Sequence, residues 1–226
     1  MPEQYPLYDI TPFTALDYPD HLAAIFWFAG CNMRCDFCYN VDIVFGKGSL
    51  ALDEALEFLQ TRVGLLDGVV LSGGEATLYD ELPQLCRQIK TLGFKIKLDT
   101  NGLQTKMIET LVQEKLVDYI ALDYKAPLQK FTAVTKNRHY DHFAKTLEFL
   151  ITSDIDFEVR TTLHPDLLYV EDINAIITDL KRRGYEGNYY IQHFLIADKT
   201  IGEMAAPKQA FDQSKVSDAI AVFYRN

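Results

Sequence analysis

The chain has 226 residues and carries 22 Lys and Arg against 32 Asp and Glu, for a formal net charge of −10. Its hydrophobic content of 48% is ordinary for a globular protein and excludes disordered, collagen-like and small disulfide-rich chains. An acidic chain repels phosphate backbones, so we expect no nucleic-acid partner. The longest apolar run, from Leu22 to Gly30, is too short for a membrane span, and the first residues lack a secretory signal pattern. We expect a cytoplasmic protein with no membrane partner.

Predicted strands and helices alternate along most of the chain. Apolar runs predict strands at residues 22–28, 68–71, 94–98, 117–122, 155–161 and 189–192. Helical periodicity predicts helices at 52–62, 79–92, 104–115, 142–152 and 170–183, and a C-terminal helix near 214–224. Six strands joined by helices indicate an α/β fold with a parallel sheet, either doubly wound or an open or closed barrel. We predict one domain, residues 1–226, with a core of about residues 20–195 and a C-terminal extension, 196–226.

Three of the four cysteines lie within eight residues, at Cys31, Cys35 and Cys38. Clustered thiolates in a cytosolic protein favour a soft metal or an iron–sulfur cluster over a disulfide framework. Structural zinc normally takes four closed ligands, and here a second cysteine pair is missing. A four-iron cluster held by three cysteines would leave one iron open to a ligand. Cys86 falls within a predicted amphipathic helix, where a buried, unreactive thiol is expected.

A second motif, Ser72-Gly73-Gly74-Glu75, follows the second predicted strand. Two glycines let the backbone approach a ligand closely, and the glutamate offers an acceptor for a cationic amine. Any tight turn between a strand and a helix can carry Gly-Gly, so this motif alone is a weak signal.

Further polar residues stand at or just beyond the ends of predicted strands. In α/β barrels the active site gathers at the C-terminal ends of the strands. Each residue also has a plain structural interpretation, as a turn, a salt bridge or a core histidine. These candidates are Asp99, Asn101, Asp123, Lys125, Arg160 and His193.

The Cys-x3-Cys-x2-Cys spacing, with an aromatic residue at Phe37, resembles the signature of the radical S-adenosylmethionine (SAM) superfamily. The resemblance implies a partial (β/α)6 barrel and a 4Fe-4S cluster on Cys31, Cys35 and Cys38 whose open iron binds SAM. One electron from the cluster would cleave SAM to methionine and a 5′-deoxyadenosyl radical. Phe37 and Asn101 would then belong to the cofactor-binding residues.

The same resemblance implies roles for the other motif residues. Gly73, Gly74 and Glu75 look like the family's GGE motif, which contacts the methionyl amino group, although Ala76 stands where most members have proline. By similarity to glycyl-radical-enzyme activases, Asp99 and Asp123 would help to hold a monovalent cation or the SAM ribose and carboxylate. The SAM pocket would be lined by Lys125, Arg160 and His193.

The stretch from Ile10 to Pro19, together with the cysteine motif, resembles the anaerobic ribonucleoside-triphosphate reductase-activating proteins. It departs from them at Asp20, where glycine is usual, and at Tyr39, where histidine commonly follows the third cysteine. The resemblance implies hydrogen abstraction from a glycine of a partner enzyme, which leaves a glycyl radical, with a flavodoxin or ferredoxin as reductant. The locally positive residues 125–145 are a candidate docking segment for this partner.

Other readings stay open at this point. A radical SAM enzyme could act on a small molecule, like 7-carboxy-7-deazaguanine synthase, or activate another glycyl radical enzyme. An electron-transfer protein would use the same thiolates, but it would have no need for the Gly-Gly-Glu turn or the charged strand ends. A zinc protein would show no visible absorption.

Overall fold

A computed structural model describes residues 5–225, and the ends of the predicted domain, residues 1–4 and 226, lie outside the described residues. Within the described part of the chain, eight strands follow the chain order in one open sheet: Leu7–Thr14 (β1), Ala23–Phe28 (β2), Gly68–Gly73 (β3), Lys95–Thr100 (β4), Tyr119–Asp123 (β5), Asp156–Leu163 (β6), Tyr189–His193 (β7) and Val222–Arg225 (β8).

Among residues 5–225, seven α-helices connect the strands of this sheet. They are Val41–Phe45 (α1), Leu52–Gln60 (α2), Leu82–Thr91 (α3), Thr105–Gln113 (α4), Leu128–Thr135 (α5), Tyr140–Ile151 (α6) and Val170–Arg182 (α7). Helical crossovers are what parallel neighbouring strands require. The predicted α/β class with a mostly parallel sheet is therefore confirmed. Among the described residues, no helix has the length and apolar content that crossing a bilayer requires.

The chain divides into two compact units, and the predicted single domain stays a prediction. The first unit contains residues up to 32, 40–100 and 104–120. The second contains residues 33–39, 101–103 and 121 onward. Strand β5 runs from the first unit into the second.

In the first unit, β2, β3 and β4 are parallel and β1 is antiparallel to β2. Strand β2 is apolar on both faces and is almost fully buried, as expected for a central strand of a parallel sheet. The pairing aligns Phe28 with Gly73 and Leu71 with Leu98. The polar residues that follow these strands therefore emerge at one edge of this unit.

In the second unit, β6, β7 and β8 are parallel, and Leu163 of β6 is aligned with His193 of β7. Helix α7 buries an isoleucine-rich face, and α6 buries Phe143 and Leu147. Burying such faces is the main stabilising contribution of an amphipathic helix.

The predicted elements differ from the structure mainly at the two ends of the chain. Strands β1 and β8 and helices α1 and α5 were not predicted, and the predicted C-terminal helix is wrong. Residues Gln213–Lys215 form a 3-10 turn, and β8 pairs with β7 through Tyr189 and Val222. The Val-Phe-Tyr run of β8 favours a strand, and pairing along the sheet edge overrides the weak helical spacing.

Candidate active site

The Gly-Gly-Glu turn lies at the end of β3 and packs on the residues that follow β2. Gly73 has φ +114°, a conformation that glycine adopts readily. The amide of Gly74 donates to the carbonyl of Phe28 at 2.8 Å, and the amide of Glu75 donates to the carbonyl of Gly30 at 2.9 Å. A Cβ atom at position 74 would lie 1.9 Å from that Gly30 oxygen. The turn is thus fixed against the residue directly before Cys31.

The carboxylate of Glu75 is buried, with 3% of the residue exposed. Its Oε1 atom accepts from the backbone amide of Thr77 at 3.2 Å, from the Thr77 hydroxyl, and from the Thr100 hydroxyl at 2.9 Å. These hydrogen bonds orient the carboxylate within the turn. Thr77 and Thr100 were not singled out from the sequence. Glu75 is the N-cap of a 3-10 turn, Ala76–Leu78, which brings the Thr77 amide to its carboxylate.

Asp99, at the end of β4, is paired with a buried lysine that the sequence did not flag. The Lys97 Nζ lies 2.5 Å from the Asp99 Oδ1, and the Ser72 hydroxyl donates to Oδ2 at 3.1 Å. The Lys97 side chain is 2% exposed. Residues two apart on a strand point to the same face, so the alternation of β4 could have placed Lys97 beside Asp99.

The cysteine loop, residues 33–39, carries Cys35 and Cys38 in the second unit, while Cys31 belongs to the first. The amide of Cys38 donates to the carbonyl of Cys35 at 3.0 Å, which closes a tight turn. The amide of Arg34 donates to Thr135 at 2.8 Å, so the loop is attached to the end of α5. Attachment to a helix end gives the loop a fixed support.

A segment of the C-terminal extension covers the same loop. We call residues 196–209 the strap. The amides of Ile201 and Gly202 donate to the carbonyls of Cys38 and Asp36, each at 2.9 Å. A Cβ atom at Gly202 would lie 2.5 Å from the Asp36 Cβ, so the contact is tight.

Two polar side chains hold the rest of the strap. The His164 Nε2 lies 3.0 Å from the carbonyl of Ala205, and the Asp166 carboxylate accepts from the amides of Lys208 and Gln209. The strap had no sequence signal beyond an irregular pattern after Leu195.

Asp123, Lys125 and Arg160 form one ionic cluster at the end of β5 and within β6. The prediction that Arg160 ends its strand is wrong, because β6 continues for three residues beyond it, to Leu163. The Asp123 Oδ1 accepts from the Arg160 Nε at 2.6 Å, and its Oδ2 from the Lys125 Nζ at 2.9 Å. Burial would raise the pKa of Asp123, but the charges of Arg160 and Lys125 outweigh burial and lower it to about 2. Burial would lower the pKa of Lys125, and Asp123 reverses this and raises it.

Phe37 joins this cluster through the cysteine loop. The Lys125 Nζ lies 5.7 Å from the centre of the Phe37 ring, within reach of a cation–π contact. The pKa of Tyr39 is raised, first by burial and then by the neighbouring Cys38. The second unit thus brings together four of the predicted site residues: Phe37, Asp123, Lys125 and Arg160.

Two other predicted residues have structural partners of their own. The Asn101 Oδ1 accepts from the amide of Leu103 at 3.1 Å, a local turn contact. His193 lies 3.2 Å from Gln213, and its ring stacks on Tyr224 with centroids 5.8 Å apart. Their cofactor-binding roles stay predictions.

All four lysines of the candidate docking segment, residues 125–145, are in ion pairs, and two of these pairs involve α5 and the residue that follows it. Lys130 lies 2.6 Å from Asp172 and over the ring of Tyr169, and Lys136 lies 2.7 Å from Asp36. These pairs attach α5 to its own unit. The docking hypothesis gains no support from them.

None of the four cysteines, all of which lie within the described residues, forms a disulfide. Cys86 is buried in α3, as expected, and burial raises the pKa of its thiol to about 12. Cys31, Cys35 and Cys38 supply soft donors of the kind that iron–sulfur clusters take. The Gly-Gly-Glu turn presents close backbone and one buried carboxylate, which suits a ligand with an ammonium group. The residues present fit both an iron–sulfur cluster and SAM.

Comparison with known proteins identifies the family. The profile of the Radical SAM superfamily matches residues 25–186. A Methanocaldococcus jannaschii protein, provisionally named a glycyl-radical enzyme activating enzyme, is 31% identical over 214 residues, covering 90% of this chain and 81% of that protein. The pyruvate formate-lyase-activating enzyme of Clostridium pasteurianum is 29% identical over 152 residues, covering 63% of each chain. The chain belongs to the radical SAM superfamily.

A solved structure supports the fold. Streptococcus suis SuiB bound to S-adenosylmethionine superimposes with a TM-score of 0.68 at 12% identity, over 89% of this chain and 52% of SuiB. The chain therefore spans about half the length of SuiB, and the likeness concerns the fold alone. The predicted radical SAM fold is confirmed, as are the 4Fe-4S cluster and SAM, which this family of enzymes uses.

Proposed function

We propose that this radical SAM enzyme installs a glycyl radical on a partner enzyme, and that the partner is an anaerobic ribonucleoside-triphosphate reductase. The proposal rests on two observations taken together: the cluster and SAM-binding motifs of this chain, and its similarity to a glycyl-radical-enzyme activase. The cysteines and the Gly-Gly-Glu turn are both present, and a protein named as a glycyl-radical enzyme activating enzyme is similar over nine-tenths of the chain. The reductase itself is proposed from the Ile10–Pro19 stretch.

In this proposal Cys31, Cys35 and Cys38 hold the cluster. When bound, the cluster and SAM supply the oxidising equivalent that removes a hydrogen atom from a glycine. Glu75, oriented by Thr77 and Thr100, would accept the ammonium group of SAM through its buried carboxylate. Gly73 and Gly74 would leave room for that group to approach the backbone.

The charged cluster of the second unit has a matching role. Asp123 holds Lys125 and Arg160 at fixed positions, where these two cations would face anionic or polar groups of SAM. Phe37, packed under Lys125, offers an apolar face to a planar ring. Asn101, Asp99 and His193 belong to the same proposal as further cofactor-binding residues.

Location and electron supply complete the proposal. The cysteines of the described chain form no disulfide, which suits a reducing compartment, and we propose a cytoplasmic location. A flavodoxin or ferredoxin would deliver the electron, and no nucleic acid or membrane takes part.

Anaerobic electron paramagnetic resonance tests the function. The reconstituted protein is mixed with SAM, reductant and the anaerobic ribonucleotide reductase of the same organism, and 5′-deoxyadenosine is assayed in the same tube. A stable glycyl-radical doublet that requires SAM is the expected result, and the Cys38→Ala variant should give none. Deoxyadenosine without a doublet would point to another glycyl radical enzyme or to a small-molecule substrate, and would overturn the reductase assignment.

A further inference from the structure

A buried lysine on β4 stands against one of the carboxylates that the family resemblance assigns to a monovalent cation. Lys97 is 2% exposed, and its ammonium lies 2.5 Å from Asp99. A lysine this deeply buried is rare unless it is paired, because its charge has lost its hydration. Lys97 therefore depends on Asp99, and the pair forms a fixed unit.

The charges leave little attraction for an added cation. In the first unit, one carboxylate is matched by the Lys97 ammonium, and the other carboxylate oxygen accepts from Ser72. In the second unit, the single carboxylate of Asp123 already faces two cations, Lys125 and Arg160. A sodium or potassium ion at either carboxylate would add positive charge to groups that are neutral or positive. The residues present do not fit a monovalent cation.

The geometry points to Lys97 as a tethered replacement for that cation: its ammonium holds the Asp99 carboxylate in place, and the enzyme binds SAM without sodium or potassium. Lys97 acts as a positioning residue, since it works through Asp99. The inference rests on the SAM-binding part of the proposed function and not on the identity of the partner.

The first measurement concerns the cation itself. Sodium-23 NMR relaxation is measured on the cluster-loaded wild-type protein and on the Asp99→Asn variant. The two should give the same relaxation rates, because the wild type holds no sodium ion at Asp99. Isothermal titration calorimetry should give the same dissociation constant for SAM in sodium, potassium and tetramethylammonium salts of equal ionic strength. Sodium binding lost in Asp99→Asn, or SAM affinity that rises with potassium, would overturn the inference.

The second measurement concerns Lys97. In tetramethylammonium salt, Lys97→Met should weaken SAM binding by about tenfold, because one charge-assisted contact near the carboxylate is lost. Adding sodium or potassium should restore part of the affinity, since the vacated position can then hold a cation. If Lys97 had a purely structural role, added cations would not restore SAM affinity. A folded Lys97→Met variant whose SAM affinity is not restored by sodium or potassium would therefore contradict the inference that Lys97 replaces the cation.

A matched control lies two residues away on the same strand. Lys95 is exposed and contacts His21. Lys95→Met should bind SAM with the wild-type affinity, and that affinity should be the same in sodium, potassium and tetramethylammonium salts. Iron content and circular dichroism test whether Lys97→Met is folded. If the variant is unfolded, the cation measurements on the wild-type protein still test the inference. Failure to form a glycyl radical would count against the proposed function alone, because these readouts use no partner.

Discussion

Gly74 meets Gly30 backbone to backbone: a Cβ atom on residue 74 would fall 1.9 Å from the Gly30 carbonyl oxygen. No L-amino acid with a side chain fits there unless the backbone moves. The contact links the Gly-Gly-Glu turn to the residue that precedes Cys31. A disturbance at position 74 should therefore reach both the turn and the first cysteine.

Gly74→Ala should weaken SAM binding by about tenfold or more, because relieving the overlap with Gly30 costs about 1–3 kcal/mol of strain. Iron content and calorimetric SAM titration measure the effect. Gly93→Ala is the control, since its added Cβ meets nothing within 4 Å and only its positive φ, +92°, is strained. The control should lose about 1 kcal/mol of stability but keep SAM affinity. Equal SAM affinities in the two variants would contradict this interpretation.

Replacing Cys31, Cys35 or Cys38 by alanine should abolish the visible iron–sulfur absorption and the production of 5′-deoxyadenosine. Cys86→Ala is the matched control, because this thiol is buried and its pKa is raised to about 12. It should keep full iron content and lose about 1 kcal/mol of folding stability. Loss of iron in the Cys86→Ala variant would contradict the assignment of the cluster to Cys31, Cys35 and Cys38 alone.

Acid should remove the stabilisation that Asp123 contributes. Its pKa is about 2 in the folded protein, below the ordinary value of 3.8, so the contribution is complete above the unfolded pKa and disappears as the pH falls toward 2. The contribution is about 2 kcal/mol. Urea unfolding of the iron-free protein between pH 5 and pH 2 should show this loss in the wild type and a smaller one in Asp123→Asn. Asp141→Asn, at an exposed carboxylate on α6, should retain the wild-type pH dependence.

The strap should protect the cluster from oxygen. Gly202→Ala pushes a Cβ against Asp36, and a loss of about 1 kcal/mol in strap docking would speed bleaching in air about fivefold. Absorbance after exposure to air follows the process. Gly184→Ala, whose Cβ meets open space in the same unit, should bleach at the wild-type rate. Equal bleaching rates would show that the strap does not limit access.

The hydrophobic pattern of the sequence predicts the central strands of the sheet, but it does not predict the edge strands β1 and β8. Strand β2 is apolar throughout and buried, so the sequence alone predicts it within one residue. Strand β1 contains Pro12 and is exposed or half-exposed along most of its length, so its hydrophobic pattern is weak and its pairing with β2 decides its structure. Strand β8 was missed for the same reason, because pairing with β7 is non-local.

For the site, motif residues were easier to find than their supports. The sequence singles out the four residues around Asp123, because each lies at or just beyond the end of a predicted strand or belongs to the cysteine motif, although β6 in fact extends beyond Arg160. The sequence did not single out Lys97, because a lysine in a strand is expected on a solvated face, whereas β4 is buried on both faces and this lysine is buried with them. The strap was invisible because its contacts are backbone amides and carbonyls, which carry no residue signature.

The strap also sets an order of events during synthesis. Cys35 and Cys38 leave the ribosome early, whereas Ile201 and Gly202, which cover their loop, come near the end of the described chain. At ordinary translation speeds, the interval is on the order of ten seconds. During that time the thiols lie open to iron delivery and equally to oxidation. The nascent chain thus has a period for iron loading that ends when the strap folds over the cysteine loop.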